Sequence, residues 1–162
     1  MANSSVVIRK IEPGEEQQAC LLVKRVFDEY VAPLYETEGV KEFLRYVDPD
    51  RMVNRLSSNH FVLIAKKGEN LLGVIEIRDF NHVSLLFVTG NAQRQGIAKQ
   101  LLEEALETCQ SKLALSEVSV HSSPNAVEAY KKLGFKVKGQ EQLENGIRYI
   151  PMKLRIRADD DS

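Results

Sequence analysis

The residues best placed for chemistry lie near the middle of the chain, in Leu85-Leu86-Phe87-Val88-Thr89-Gly90-Asn91-Ala92-Gln93-Arg94-Gln95-Gly96-Ile97-Ala98-Lys99. An apolar strand runs into a short polar loop, and the loop opens a helix whose first turn carries glycine and alanine. The leading N–H groups of a helix have no internal partner and sit at the positive end of its dipole, so a loop of this kind can hold a phosphate without a metal. Gly96 and Ala98 let an anion approach the backbone, and Arg94 and Lys99 add the positive charge that suits a pyrophosphate. Two better-known phosphate loops are absent. Gly90 and Gly96 enclose five residues and no Lys-Ser/Thr follows, which fails the Walker A pattern, and there is no G-x-G-x-x-G. Read alone, the loop is equally a helix start with a small residue and a basic, solvated first turn.

A second constellation follows at Ser122-Ser123-Pro124-Asn125-Ala126-Val127-Glu128-Ala129-Tyr130-Lys131-Lys132-Leu133-Gly134-Phe135. Ser123 is a natural N-cap, Pro124 a natural first helical residue and Gly134 a natural terminating glycine. Val127, Tyr130 and Leu133 share a face, so Tyr130 reads either as a core anchor with its hydroxyl at the edge or as a phenol presented to a site. Cys20 and Cys109 stand alone in helical patterns, without C-x-x-C or Cys/His spacing, and read as small buried hydrophobes. The three histidines, His60, His82 and His121, have no carboxylate-rich cluster at ligand spacing, so no metal is expected.

The elements that must position these residues are legible from periodicity. A strand at Val6–Ile11 ends at Glu12-Pro13-Gly14. An amphipathic helix follows, with Cys20, Val23, Phe27, Tyr30 and Val31 on one face and Pro33 ending it. Residues 38 to 57 read as one or two shorter helices. Phe61–Ala65, Leu71–Arg78 and Val83–Val88 read as three strands of an antiparallel meander, with a hairpin turn at Lys66–Asn70. From Gly96 a long helix turns Ile97, Leu101, Leu102, Ala105, Leu106 and Cys109 to one face. A strand at Glu117–His121, a short helix at Pro124–Leu133, a strand at Phe135–Lys138 and a last strand at about Tyr149–Ile156 complete the order. This is a mixed α/β (α+β) domain, with residues 158–162 an acidic tail expected to be disordered.

Composition bounds the function. The chain has 162 residues, 43% hydrophobic and 28% charged, which suits one compact domain. Lys plus Arg number 22 against 23 Asp plus Glu, for a net charge of -1, which argues against bulk binding to nucleic acid. No apolar run approaches the roughly 20 residues that span a bilayer, and Met-Ala-Asn-Ser-Ser lacks the basic start and apolar block of a secretory signal. Neither a membrane nor a nucleic-acid partner is expected, and the location expected is cytoplasmic.

Taken together, the two constellations resemble the GNAT superfamily of acyl-CoA-dependent N-acetyltransferases. Gln93-Arg94-Gln95-Gly96-Ile97-Ala98 matches its [QR]-x-x-G-x-[GA] motif. Asn125, Ala126 or Ala129, Tyr130, Lys132, Gly134 and Phe135 match its second conserved region in order and nearly in spacing. The element order agrees from Val6 to about Ile156, so the resemblance implies a GNAT domain over residues 1–157. That domain would have a mostly antiparallel sheet with splayed central strands and helices on both faces.

The resemblance further implies acetyl-CoA as co-substrate, in a cleft where the strands ending at Val88 and His121 diverge. The cofactor-binding residues it implies are Leu86, Phe87, Val88, Gln93, Arg94, Gln95, Gly96, Ile97, Ala98, Lys99, Asn125 and Tyr130. Backbone groups of Leu86 and Val88 would pair with the pantetheine arm as an added strand would. Tyr130 becomes the general acid for the departing thiolate. For the base, His82 opens the strand leading to the loop, and Glu76 breaks the apolar pattern of the strand before it. As alternatives, His82 is an exposed hairpin-end residue and Glu76 a partner of Arg78; a water relay also remains open. His121 either lines the site or ends a strand, and His60 has no evident partner.

The acceptor pocket is implied at about residues 28 to 57 and the last hairpin. Asp28, Glu29, Glu36, Glu38, Glu42, Asp48 and Asp50 there would attract a cationic amine, and Tyr30, Tyr35, Phe43 and Tyr46 form an aromatic wall or simply core. The reaction expected is direct attack of a primary amine, from a small molecule or a peptide, in a ternary complex, by a monomer or homodimer. The alternatives are a non-catalytic CoA-binding regulatory module and a purely structural domain.

Overall fold

Phe61, Leu63 and Ala65 alternate with Val62 and Ile64 along one strand, and all five are buried, so that strand needs cover on both faces. The computed structural model describes residues 5–92, 95–112 and 117–156. Its elements are β1 (Val6–Lys10), α1 (Glu16–Tyr30), α2 (Thr37–Tyr46), α3 (Pro49–Leu56), β2 (His60–Lys67), β3 (Asn70–Arg78) and β4 (His82–Val88). They continue with α4 (Ile97–Lys112), β5 (Glu117–Ser122), α5 (Val127–Lys132), β6 (Lys136–Val137), β7 (Gln142–Glu144) and β8 (Ile147–Arg155). Single 3-10 turns lie at Ala32–Leu34, Gly90–Ala92 and Pro124–Ala126.

The sheet runs β1-β2-β3-β4-β5-β8-β6, with β7 paired to β8 off that path. Every pairing is antiparallel except β4 with β5. Phe61, Leu63, Ala65, Ile75 and Ile77 pack on α4 through Ile97, Leu101, Leu102, Ala105 and Cys109. Val62, Ile64, Val74 and Leu85 pack on α1 and α3 through Ala19, Cys20, Val23 and Met52. The α4 stripe is the one its three- and four-residue spacing predicts. Removing a fully buried member such as Leu101 would cost about 2–5 kcal/mol. Burial pushes both free thiols, Cys20 and Cys109, up to about 11, as expected of inert core cysteines. Among the described residues no helix is long and apolar enough to cross a membrane.

The parallel pairing of β4 and β5 is brief. It covers only His82 with Ser119 and Val83 with Val120, while β4 stays paired to β3 as far as Val88 and β5 to β8 as far as Ser122. The sheet is therefore two half-sheets joined at one end, and the splay anticipated from the sequence opens between them.

Local departures have physical reasons. Residues 38 to 57 form two helices because Asp48 caps the second, accepting from the Arg51 N–H at 3.1 Å, and Pro49 sits where no amide donor is needed. Ser123 has the extended backbone of an N-cap but does not cap; its hydroxyl donates to Asn125 Oδ1 at 2.7 Å, and the segment begins as a 3-10 turn. Gly134 does terminate α5, at φ +106. The strand expected at Phe135–Lys138 shrinks to β6, with Phe135 turned into the core. β7 was not anticipated, although Asn145-Gly146, at φ 53 and 81, is a recognised hairpin turn and joins Glu144 to Ile147. The acidic tail at 158–162 lies outside the described residues.

Candidate active site

The divergence of β4 from β5 leaves one edge of β4 uncovered by its neighbour strand. Thr89 N–H donates to the Leu72 carbonyl at 2.9 Å, which fixes the alternation of the β3–β4 ladder. By that alternation Phe87 turns its backbone groups toward β3, whereas Leu86 and Val88 turn theirs toward the opening. The side chains of all three line a cavity of about 650 Å³ that fills the splay.

At one end the cavity reaches Ala98, in the first turn of α4. That 16-residue helix directs its leading N–H groups to this end, and Gly96 precedes it at φ +78, a conformation that only glycine adopts without strain. Among the described residues, a Cβ there would meet nothing within 4 Å. Ile97 anchors the turn by burying its side chain in the core, while Gln95 and Lys99 are exposed. Gln93 and Arg94 lie outside the described residues.

Tyr130 lines the middle of the cavity, presented by α5 and held edge-to-face against Phe135 with ring centroids 5.3 Å apart. Burial, with a smaller contribution from Tyr35, pushes its phenol well above the ordinary value near 10, so it is a protonated donor at any physiological pH. Asn125 also lines the cavity. Its amide donates to the Tyr30 carbonyl at 2.8 Å and its Oδ1 accepts from Ser123, so it ties the end of α1 across to the segment that carries Tyr130.

His82 stands where the half-sheets join. It is buried rather than an exposed hairpin-end residue, and Nδ1 lies 2.7 Å from Ser119 Oγ. Ser119 Oγ is in turn 3.5 Å from the Asn81 carbonyl. If the hydroxyl donates to that carbonyl, His82 donates from Nδ1 and presents Nε2 as an acceptor. Burial, then the charges of Arg78 and His121, pushes the His82 imidazole down to about 3. It is thus neutral at pH 7. His121 lines the cavity, edge-on to His82 at 4.7 Å and stacked on Tyr149 at 4.1 Å, and burial lowers its pKa too.

Glu76 is placed differently. It is fully buried and does not line the cavity. Its partner is not Arg78, the expectation from strand alternation, but Arg55. Nε donates to Oε2 at 2.7 Å and Nη2 to Oε1 at 3.0 Å. His60, which showed no partner in the sequence, places Nδ1 2.7 Å from Oε2. The reason is register: Glu76 lies on the α1 and α3 face of β3 with Val74, opposite the last turn of α3. Arg55 also lies over the Tyr46 ring, 3.7 Å from its centroid. The carboxylate is therefore committed to holding α3 and Tyr46 against the sheet.

The far end of the cavity is built by α1, α2 and the β7–β8 hairpin. Gly39 of α2 lies so close to Gly146 that a Cβ on either would overlap the other's backbone, which draws the hairpin tip over the pocket. Tyr30, Tyr35, Phe43 and Tyr46 all line the cavity; Phe43, stacked on Phe27 at 4.0 Å, and Tyr46 also pack on the core, whereas Tyr30 is exposed. Of the seven acidic residues expected here only Glu42 lines the cavity; Asp48 is spent on its cap and Glu36 pairs with Arg148 at 3.8 Å. Arg78, Ser119, Glu144 and Tyr149 belong to the site or its support without having been singled out for it. Only the Asn-Gly turn could have placed Glu144 and Tyr149 there.

Comparison with known proteins bears on this geometry. A family model described as an acetyltransferase (GNAT) domain matches residues 31–156. Among solved structures, the chain is similar to PaiA N-acetyltransferase of Thermoplasma acidophilum in complex with coenzyme A. The two share 20% identity and a TM-score of 0.79, over 94% of this chain and 99% of that one. A GCN5-related N-acetyltransferase of Rhodopseudomonas palustris is 19% identical at a TM-score of 0.78, over 96% and 99% of the two chains. The spermidine N-acetyltransferase of Vibrio cholerae in complex with CoA and spermine is 20% identical at a TM-score of 0.63, over 93% and 95%.

Proposed function

The chain belongs to the GNAT acetyltransferase family, and from that premise we propose that it is an N-acetyltransferase that moves the acetyl group of acetyl-CoA to a primary amine by direct attack in a ternary complex. The observation that carries this reading is the continuous cavity from Ala98 at the head of α4, past Tyr130, to His82 and His121. Its lining fits a cofactor with a phosphorylated end, an extended amide arm and a reactive tip.

The backbone N–H groups of Gln95 to Lys99 would hold the pyrophosphate, with Arg94 and Lys99 adding charge, and Gln93 would flank them. Leu86 and Val88 would offer backbone groups to the arm, with Phe87 packing behind them. Asn125 shapes the channel opposite. When bound, acetyl-CoA supplies the acetyl group as an activated thioester and leaves as a thiol.

His82 accepts the proton of the attacking amine at Nε2 in the tautomer whose Nδ1 donates to Ser119 Oγ. With its pKa lowered, His82 is a weak base but fully available at neutral pH. Tyr130 donates its phenolic proton to the departing sulfur, and burial keeps that proton in place until it is needed. Glu76 acts structurally in this account. Neither cysteine lines the cavity, which supports direct transfer over a covalent acetyl-enzyme.

The test is thiol release from acetyl-CoA across a panel of primary amines, with cofactor affinity measured in parallel by calorimetry. Amine-dependent release supports the proposal. Tight cofactor binding with no release from any amine would instead identify a CoA-binding regulatory module, and no binding a structural domain.

A further inference from the structure

Resting on the acetyltransferase reading and extending it to the acceptor, we propose that the acceptor amine also carries a carboxylate, which the Arg78 guanidinium receives at the mouth of the cavity. Arg78 ends β3 in register with His82 and lines the cavity beside it. Its one ion pair among the described residues is to its neighbour Asp79, at 4.0 Å, the outer limit for such a contact, with the two side chains 48% and 61% exposed. Surface pairs this loose contribute little.

The cavity is also lined by two carboxylates, Glu42 and Glu144. Glu42 is paired with Arg45 at 2.8 Å, and the charge of Glu144 adds to burial in pushing the Tyr149 phenol up. Glu42 thus has a closer counter-ion than Arg78 has, which leaves the Arg78 guanidinium placed to receive a negative charge from an acceptor. Arg is the side chain suited to receiving a carboxylate through two parallel N–H donors. The field of Arg78 reaches both His82 and His121, where it lowers their affinity for protons. It would likewise oppose the second ammonium of a diamine. Phe43 and Tyr149 offer an apolar body between the two polar ends.

Two matched pairs test this: phenylalanine with phenylalaninamide, and 4-(aminomethyl)benzoate with 4-(aminomethyl)benzamide, alongside 1,4-diaminobutane. kcat/KM is compared per mole of unprotonated amine. At least one carboxylate should exceed its amide by about tenfold. Arg78→Ala should erase that preference and Arg78→Lys restore part of it, with acetyl-CoA binding in each preparation reporting that the variant is folded. Equal or better use of the amides in both pairs, preference for 1,4-diaminobutane, or a preference that survives in a folded Arg78→Ala overturns the inference while leaving the acetyltransferase reading intact. Acetyl-CoA binding with no turnover of any of the five amines overturns the inference together with the reading beneath it.

Discussion

His82 Nδ1 lies 2.7 Å from Ser119 Oγ, across the first of the two residue pairs that join β4 to β5. The contact ties the two half-sheets together where the cavity begins and decides which imidazole nitrogen faces a substrate. His82→Gln should lower kcat/KM by about 10²-fold, the usual contribution of a positioned base. Ser119→Ala should lower it by about tenfold, because the imidazole keeps its place but loses its preferred tautomer. Steady-state kinetics of the two variants check this, and equal losses would contradict the division of roles.

The same histidine makes stability depend on pH. Its folded pKa, about 3, lies below the ordinary value near 6.5, so between those pH values the unfolded chain binds more protons than the folded one. Stability is therefore lost as pH falls from about 6.5 toward 3. Glu15, held at about 2 mainly by its hydrogen bonds from Arg9, loses its contribution lower, from about pH 4.5 down through 2. Melting temperatures between pH 7 and 4 should fall less steeply for His82→Gln than for the unaltered protein; parallel slopes would contradict the shift.

Glu76→Gln should destabilise the fold. The change leaves Arg55, its side chain 14% exposed, beside a neutral partner in a nearly closed site. Breaking a buried pair by neutralising one member costs about 3 kcal/mol, or roughly 6–12 °C in a chain of this size. Differential scanning calorimetry measures it, and an unchanged melting temperature would show that the network does not hold α3 to the sheet.

Gly96→Ala tests the loop. The φ of +78 costs a β-carbon about 1 kcal/mol, yet none of the described residues lies within 4 Å of where that carbon would stand. Any loss of acetyl-CoA affinity, expected at about five- to tenfold, then reports the backbone conformation that aims the N–H groups of α4. Calorimetric titration reads it, and unaltered affinity would detach Gly96 from cofactor binding.

Much of this architecture was legible before the structure, for reasons that differ by element. The α4 stripe at Ile97, Leu101, Leu102, Ala105 and Cys109 follows from helical periodicity, and the β2–β3–β4 meander from dense apolar runs separated by turns. The loop proposed to hold the cofactor stands out in sequence because its features are local: a strand, a glycine and a helix start are adjacent. The acceptor end was not, since it joins α1, α2 and a hairpin more than 95 residues beyond α2, and Gly39 meets Gly146 only in three dimensions. Glu76 shows the limit best. Alternation identified it as out of place in its strand, but its partners, Arg55 and His60, come from other elements. The seven acidic residues of 28 to 50 misled for the opposite reason: charge in the right segment does not specify which side of a helix faces the pocket.

The central claim is that Tyr130 donates a proton in transfer from acetyl-CoA to an amine. The most direct measurement is amine-dependent thiol release by Tyr130→Phe, with acetyl-CoA affinity determined on the same preparation. Cofactor affinity should stay within about twofold of the unaltered protein and kcat should fall by about 10². Unchanged kcat with the phenolic hydroxyl removed would contradict it.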